Sequence, residues 1–256
     1  MENKYPSEVI DLPSTGIFYP IESPLRSGNI EIKYPTAKEE DILSSRNLIQ
    51  KGIVIDKFLQ SLIITPINYD ELLIGDKNAI LFASRILAYG KDYTVEIECP
   101  NCRRKTHLTV DLSAIGNKEI DIRKYFPTGE PTVEFELPNS KITITLKLFT
   151  NRDERLVDEE LKGLKKMSER TGTGFEMTTR FKHLIIAIDG DRDKARINKF
   201  VSEDLLSRDS LAIRSFMQTI TPDVDSTFMF SCENSECGEE REMSIPLRVE
   251  FFFPSR

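Results

Sequence analysis

Four cysteines are the residues of this chain best suited to chemistry, and they occur as two pairs. Cys99 and Cys102 enclose the turn "CPNC", and Cys232 and Cys237 enclose the turn "CENSEC". Structural zinc is held by four thiolates in a tetrahedron, and two cysteines with two to four residues between them can present both sulfurs from one loop. The two pairs therefore predict a single structural Zn²⁺ site that uses all four sulfurs.

Other interpretations of the cysteines stay open at this point. Loops can carry reduced cysteines that bind nothing. A redox dithiol is disfavoured, because "CPNC" lies between strand-like segments and not at the start of a helix, where a thiol pKa is lowered. A catalytic zinc is disfavoured because such sites leave one coordination position open and generally use histidine or carboxylate ligands.

The segments on either side of both pairs alternate between apolar and polar residues. "YTVEIECP" and "KTHLTVDL" surround the first pair, and "STFMFSCENSECGEEREMSIPLRVEFFF" contains the second. This period of two is typical of β-strands, so each pair is expected at the tip of a β-hairpin. Residues 93–112 and 226–253 are therefore predicted to form a zinc-ribbon-like β domain, from which residues 113–225 depart as an insertion.

Helix signals concentrate in residues 36–92. Thr36 and Glu39 have the spacing of a capping box at the start of "TAKEEDILSSRNLIQKG". A second short helix is expected in "DKFLQSLI". The clearest helix is "GDKNAILFASRILAYGKDY", in which Asp76 is the expected N-cap and Gly90 the expected stop. We expect a helical domain over this range.

The remaining segments complete an α+β fold. Residues 1–35 are rich in proline and glycine and are predicted to form an extended N-terminal arm. In the insertion, "TVEFELP" and "KITITLKLF" predict a strand pair, followed by a mainly helical stretch. The predicted architecture is a helical N-terminal unit plus a zinc-ribbon-like β domain that carries a large, mixed, mainly helical insertion.

Composition limits the classes of function. The chain has 256 residues and a formal net charge of −7, which argues against broad electrostatic binding to nucleic acid or to an anionic membrane. No apolar run approaches the length of a membrane span, and the first residues lack the pattern of a secretory signal. Four cysteines in so long a chain do not make a disulfide scaffold, so a reducing cytoplasm is expected.

Catalysis has little support in the sequence. The chain has two histidines, His107 in a strand-like segment and His183 in the apolar run "FKHLIIAI", and neither context is typical of a catalytic residue. The phosphate-binding, dinucleotide-binding and H-E-x-x-H motifs are absent from the sequence. We predict a protein without enzymatic activity, and a metalloenzyme that depends on one of these histidines is the weakest alternative.

Three sequence blocks together resemble a known family. "DLPSTGIFYP", "GNIEIKYPTAKEEDILSSRNLIQKGIVIDKFL" and "LLIGDKNAILFASRILAYGKDYTVEIECPNC" resemble the baseplate hub assembly proteins of T-even-type contractile-tailed bacteriophages. The resemblance covers residues 11–110 in order, and residues 245–254 are a weaker match. The resemblance does not extend to the helical region over residues 150–220, whose role is inferred from its residues alone.

The resemblance implies a non-enzymatic phage tail protein that promotes assembly of the baseplate central hub, as an assembly factor, a chaperone or a hub subunit. The implied partners are hub and tape-measure proteins, with neither nucleic acid nor membrane among them, and a homo-oligomer is left open. The implied locations are the host cytoplasm during assembly and the tail baseplate of the virion.

The resemblance blocks contain the candidate partner-binding residues. The arm carries apolar side chains that could lie on a partner, and the third helix carries polar residues on adjoining positions. These candidates are Ile17, Phe18, Tyr19, Asp76, Lys77, Asn78 and Arg85. The alternative is that the apolar side chains pack on the core of the chain itself and that the polar ones cap their helix.

A zinc-ribbon nucleic-acid-binding module is the alternative function. It is suggested by the basic tip of the first pair, formed by Arg103, Arg104 and Lys105. The second pair is acidic and carries Glu233, Glu236, Glu239 and Glu240. This acidity, together with the net charge, argues against the alternative.

Overall fold

The computed structural model describes residues 6–172, 174–247 and 249–253. The strands are β1 (Ser7–Asp11), β2 (Asn29–Lys33), β3 (Asp92–Glu98), β4 (Lys105–Asp111), β5 (Thr132–Glu136), β6 (Thr143–Lys147), β7 (Ile185–Ile188), β8 (Thr227–Ser231) and β9 (Glu240–Ser244). The α-helices are α1 (Ala37–Leu43), α2 (Arg46–Lys51), α3 (Val54–Leu62), α4 (Ile74–Tyr89), α5 (Ile122–Tyr125), α6 (Asn151–Thr171), α7 (Glu176–Leu184), α8 (Lys194–Lys199) and α9 (Ser207–Ile220). This mixture of helices and small antiparallel sheets confirms the predicted α+β class.

The chain divides into two compact units. Unit 1 contains the described residues of Met1–Ile67, Gly75–Lys118 and Asp223–Arg256, and unit 2 contains Asn68–Ile74 and Glu119–Pro222. Unit 1 is thus built from three separate stretches of chain, and most of unit 2 is a single excursion between the second and the third. Among the described residues, no helix combines the length and the hydropathy that crossing a membrane requires.

The N-terminal segment is a hairpin and not a simple arm. β1 and β2 pair antiparallel, and the connection between them includes the buried residues Leu12 and Ser14. Gly16 and Gly28 both have positive φ in this connection, a conformation that glycine adopts without steric cost. Residues 1–5 of the predicted arm lie outside the described residues.

The first predicted helix begins at its capping box and ends at Gly52, but it is divided into α1 and α2, and α3 begins at Val54, before the expected Asp56. The carboxylate of Glu39 accepts hydrogen bonds from the backbone N–H and the hydroxyl of Thr36, at 2.9 and 2.6 Å, which fixes the start of α1. Gly52, with φ 71°, ends α2 in the left-handed conformation. The apolar residues of α3 fall on one face, which is buried.

The start of α4 differs from the expectation. The helix begins at Ile74, so Asp76 lies inside its first turn and is not its N-cap. The side chain of Asp76 is 1% exposed and is bound to other parts of unit 1. A single sequence window cannot distinguish a capping aspartate from one that serves a distant segment. The predicted stop is present: Gly90 follows the helix with φ 83°.

An aromatic cluster fills the core of unit 1. The ring of Phe252 lies 4.7 Å from that of Phe58, and the ring of Phe251 lies 5.3 Å from Phe82 and 5.1 Å from Tyr93, measured between centroids. Tilted and edge-on arrangements of this kind stabilise a core beyond the burial of area alone. The C-terminal segment therefore packs among the helices and not only on the hairpins.

Two hairpins of unit 1 carry the cysteines. β3 pairs antiparallel with β4, and β8 pairs antiparallel with β9. Each hairpin is its own two-stranded sheet. Tyr93 on β3 and Phe230 on β8 are buried, so alternate residues of both hairpins contribute to the core.

Unit 2 has a three-stranded antiparallel sheet, in the order β5-β6-β7, covered by helices. β5 and β6 form the predicted strand pair. β7 comes from the run "HLIIAI", which the sequence predicts to be part of a mainly helical stretch. The difference arises because a short apolar run does not distinguish a strand from a buried helix. Asp209 of α9 accepts hydrogen bonds from the backbone N–H groups of Asn139 and Ser140, at 2.9 and 3.0 Å, and holds the turn between β5 and β6.

Candidate metal centre

The four cysteine sulfurs lie together in unit 1. The Sγ atoms of Cys99 and Cys237 are 3.8 Å apart, those of Cys102 and Cys232 are 3.7 Å apart, and all four lie within 4.8 Å of one another. Cys99 is buried and Cys102 is exposed. Two thiol pairs that are distant in sequence therefore form one cluster, which could hold a metal ion.

The spacing of the sulfurs fits a tetrahedral metal ion and does not fit disulfides. Thiolates about 2.3 Å from a central zinc lie about 3.8 Å from each other in a regular tetrahedron. The Cys99–Cys237 and Cys102–Cys232 distances match this value. A disulfide would bring two sulfurs to about 2.05 Å, which is far shorter.

The first hairpin tip folds the backbone tightly around its cysteines. The N–H of Cys99 donates to the carbonyl of Arg104 at 2.9 Å, and the N–H of Arg103 donates back to the carbonyl of Cys99 at 2.8 Å. Arg103, directly after the second cysteine, has φ 58°. The chain can turn within these few residues because one of them adopts the left-handed conformation.

The second hairpin tip repeats this geometry over a longer turn. The N–H of Cys232 donates to the carbonyl of Glu239, and the N–H of Cys237 donates to the carbonyl of Asn234, both at 2.9 Å. Gly238, again directly after the second cysteine, has φ 61°. A glycine at this position is a sequence signal for the left-handed conformation, which the spacing of the cysteines alone does not provide.

Contacts between the tips hold the hairpins against each other. The side-chain amide of Asn101 lies 3.4 Å from the sulfur of Cys237. The carboxylate of Glu233 accepts a hydrogen bond of 3.2 Å from the backbone N–H of His107. The cluster is therefore supported by polar contacts between the two loops that supply the sulfurs.

The thiols of the cluster differ in acidity. The backbone N–H of Arg104 and the neighbouring thiols lower the pKa of Cys102 to about 6. A backbone hydrogen bond from Asn234 lowers the pKa of Cys232, but burial and the other thiols outweigh it and raise the pKa to about 11. A thiolate on one cysteine thus disfavours deprotonation of the neighbouring thiols. A bound cation removes this penalty because it neutralises the negative charge, and metal binding therefore releases protons.

The two histidines belong to different units. His107 on β4 is 3.4 Å from Glu96 of the neighbouring strand, in unit 1. His183 on α7 is 2.9 Å from Glu160 of α6, in unit 2. Each histidine thus has a glutamate neighbour on an adjacent element, which is the arrangement of an ordinary structural pair.

A comparison with protein families decides what kind of protein carries this centre. The model of the family described as T4 bacteriophage base plate protein matches residues 15–253. The chain belongs to this base plate family. No curated protein and no solved structure matches the chain.

Four of the seven candidate partner-binding residues of this base plate protein lie in the interior of unit 1. Phe18 is 9% exposed, Tyr19 5%, Asp76 1% and Arg85 3%. In the folded chain these side chains offer a partner almost no surface. The burial of Phe18 and Tyr19 agrees with the alternative in which the apolar side chains pack on the core of the chain itself, and the assignment of all four as partner-binding residues stays a prediction.

Asp76 and Arg85 bind other parts of this base plate protein. The carboxylate of Asp76 accepts hydrogen bonds from the N–H and hydroxyl of Ser14, at 2.9 and 2.6 Å, and from the hydroxyl of Tyr19 at 2.5 Å. The guanidinium of Arg85 donates to the carbonyl of Phe251 at 3.0 Å. Both polar side chains therefore connect α4 to distant segments.

The other three candidates are more accessible. Ile17 is half-buried, and its carbonyl accepts a hydrogen bond from Arg26. Lys77 forms a salt bridge with Asp56, and Asn78 donates to Asp223 at 3.0 Å. Their assignment as partner-binding residues stays a prediction.

Ser14 was missed by the sequence analysis, although it is fully buried and binds Asp76 through both its backbone and its side chain. The local signal was a turn sequence, "PSTG", which indicates the change of chain direction but not the distant acceptor. A serine of this kind is found only when the two segments are seen in contact.

Proposed function

We propose that this base plate protein is a non-enzymatic component of the baseplate central hub, or an assembly factor or chaperone for it. The family match over residues 15–253 carries the proposal, because it makes the chain a phage baseplate protein. A structural role in the phage tail needs protein surfaces and no catalytic centre.

We propose further that Zn²⁺ occupies the cluster of Cys99, Cys102, Cys232 and Cys237, as in a zinc ribbon. The spacing of the sulfurs supports this, as does the closed set of four thiolates, which is typical of structural zinc. The ion would tie together two hairpins whose sequences are separated by residues 113–225. Its function would be to stabilise unit 1 and not to act on a substrate.

The proposed partners are hub and tape-measure proteins of the same phage. Co-expression with each of them, followed by affinity purification, tests the proposal. Stable association with a hub protein is the expected result. Association with none of them, from a chain that is folded by circular dichroism, would be evidence against the hub function.

One observation favours a second candidate, binding to nucleic acid. Arg103 and Arg104 are both exposed at the tip of the first hairpin. The contact between Glu233 and His107 brings the acidic tip next to this basic one, which weakens the local positive potential. A gel shift at low salt with single- and double-stranded DNA and RNA tests this candidate, and absence of any shift would dismiss it.

A further inference from the structure

Unit 2 contains a cleft of about 440 Å³. The cleft lies among α6, α7, α8 and the strands β6 and β7, and its volume is in the range of pockets that receive one or a few side chains of a ligand. None of the four cysteines lines it. Its lining decides which ligand chemistry it fits.

Some charges of the cleft are neutralised by neighbours within the lining. Lys147 forms a salt bridge of 2.6 Å with Asp153, and His183 lies 2.9 Å from Glu160. Both acidic residues of the lining therefore have a basic partner within the cleft. The other cations of the lining have no acidic residue left there to pair with.

Three cations of the cleft have no such neighbour. Lys182 near the end of α7, Arg192 before α8 and Lys194 at the start of α8 all line it. Within the described part of the chain, no carboxylate forms a salt bridge with any of the three. The lining therefore has a local surplus of positive charge in a chain whose net charge is −7.

Apolar surface lies beside these cations. Leu156 of α6 lines the cleft and is 42% exposed, and Ile186 of β7 lines it as well. Leu156 sits one position before the fully buried Val157, so it faces away from the core that Val157 enters. An accessible leucine beside unpaired cations suits a ligand that has both carboxylates and an apolar group.

We propose that this cleft binds an acidic segment of a partner protein, with carboxylates at Lys182, Arg192 and Lys194 and an apolar side chain on Leu156. Charge complementarity selects an acidic partner, and the leucine selects a peptide over a simple inorganic anion. That the partner is a baseplate protein rests on the proposed function. The position of the cleft and the identity of its cations and leucine are independent of the proposed function.

The first experiment measures binding of a defined probe to the full chain. The probe is a short fluorescein-labelled peptide in which glutamates alternate with leucines, and binding is followed by fluorescence anisotropy. The test variant is Lys182→Gln/Arg192→Gln/Lys194→Gln. The matched control is Lys165→Gln/Lys166→Gln/Lys199→Gln, which removes the same charge from exposed lysines of the same unit outside the cleft.

We expect the wild-type chain and the control to bind the probe equally, and the test variant to bind at least about tenfold more weakly. Raising the salt to about 0.5 M should weaken wild-type binding, because exposed charge pairs are screened. Equal affinity of the test variant and the wild type overturns the proposal. So does an absence of wild-type binding at about 1 mM peptide.

A second variant tests the apolar part of the cleft. Leu156→Gln changes an exposed position and keeps the helix-forming character of α6, so the fold should tolerate it. We expect it to weaken binding of the glutamate–leucine peptide and to leave binding of a glutamate–glycine peptide unchanged. An equal effect on both peptides would contradict a role of Leu156 in recognition.

Affinity purification with co-expressed hub proteins separates the two proposals. If the wild-type chain associates with a hub protein and the cleft variant associates equally well, the cleft proposal fails and the hub function stands. If the wild-type chain associates with no hub protein but binds the acidic peptide through the cleft, the hub function fails and the cleft stands.

Discussion

The hydroxyl of Ser14 donates a hydrogen bond of 2.6 Å to the carboxylate of Asp76. Ser14 belongs to the block "DLPSTGIFYP" and Asp76 to the block "LLIGDKNA", two of the blocks that carry the family resemblance. The blocks are therefore bound to each other inside unit 1.

The C-terminal block of the family resemblance, residues 245–254, is also bound to α4. Arg85 of α4 donates from Nε to the carbonyl of Phe251, at 3.0 Å, and from a terminal nitrogen to the carbonyl of Gly90, at 3.2 Å. Its guanidinium also lies 5.0 Å from the ring centroid of Tyr89. α4 therefore holds both the N-terminal connection and the C-terminal segment of unit 1.

Replacement of Asp76 by asparagine should change how stability depends on pH. Burial raises the pKa of Asp76 in the folded chain, against hydrogen bonds from Ser14 and Tyr19 that lower it. The pKa of Asp76 is therefore higher in the folded chain than in the unfolded chain. Its contribution to the free energy of unfolding is fully present below about pH 3.8, and it is lost as the pH rises through the folded pKa. Asparagine has no such loss.

The measurement is urea unfolding of both proteins from pH 4 to pH 8. We expect the Asp76→Asn variant to gain stability relative to the wild type as the pH increases. A relative loss over the same range would mean that the hydrogen bonds of the carboxylate outweigh its burial.

Gly16→Ala should be much more damaging than Gly52→Ala, although both glycines have positive φ. A Cβ at Gly16 would lie 2.6 Å from the carbonyl oxygen of Arg26 and 2.7 Å from that of Leu25, and these backbone atoms cannot move without opening the turn. A Cβ at Gly52 meets nothing within 4 Å. Strain alone should cost about 1 kcal/mol at Gly52, and the added overlap should bring the cost at Gly16 to about 3 kcal/mol or more.

Thermal unfolding of the two glycine variants measures the difference, and Gly52→Ala serves as the control for backbone strain. Equal melting temperatures would show that the connection before β2 rearranges to admit a side chain.

Arg85→Lys should lower stability and leave partner binding intact at temperatures where the chain is folded. Lysine cannot donate to the carbonyls of Phe251 and Gly90 together, and loss of the donor to the carbonyl of the buried Phe251 costs about 1–3 kcal/mol. Urea unfolding and affinity purification are the two measurements. Arg46→Lys, at an exposed position of α2, is the matched control. Loss of association without a loss of stability would contradict this prediction and would support a direct contact between Arg85 and the partner.

Cys102→Ser should release the proposed zinc. Cys102 is exposed, so its replacement removes one ligand without leaving a cavity in the core, which a change at the buried Cys99 would do. Elemental analysis should find about one zinc per wild-type chain and far less in the variant, with a lower melting temperature because structural zinc contributes to folding. Ser235→Ala, at an exposed position of the same hairpin tip, should keep the metal.

Wild-type protein purified gently, with less than about a tenth of an equivalent of zinc, would contradict the zinc proposal. The cysteine cluster would then be a set of reduced thiols. The family membership would be unaffected, because it depends on the match over residues 15–253.

Local signals predicted the elements that depend on neighbouring residues. Thr36 and Glu39 form the expected contacts at the start of α1, and the turn at Asn139 joins the expected strands. The hairpins that carry the cysteines also follow from their alternating pattern. In each case the residues that determine the element lie within a few positions of one another, so a short window contains the whole cause.

Elements that depend on distant contacts were not predicted. β7 is a strand because it pairs with β6, where Ile188 faces Ile144, and nothing in the run itself favours a strand over a helix. Asp76 has the local appearance of a cap, but its acceptor oxygens are used by Ser14 and Tyr19. These outcomes depend on which segments meet in the folded chain.

The sequence by itself determined the α+β class, the start of α1, the ends of α2 and α4, three of the strand pairs, the pairing of cysteines into two turns, and the family. Only the tertiary structure decided that the four sulfurs lie within 4.8 Å of one another, and that Ser14, Asp76 and Arg85 of the family blocks face inward. The physical reason is the range of the interactions. Capping, alternation and turn preference act over a few residues, whereas the cysteine cluster and the buried carboxylate of Asp76 depend on contacts between segments that are far apart along the chain.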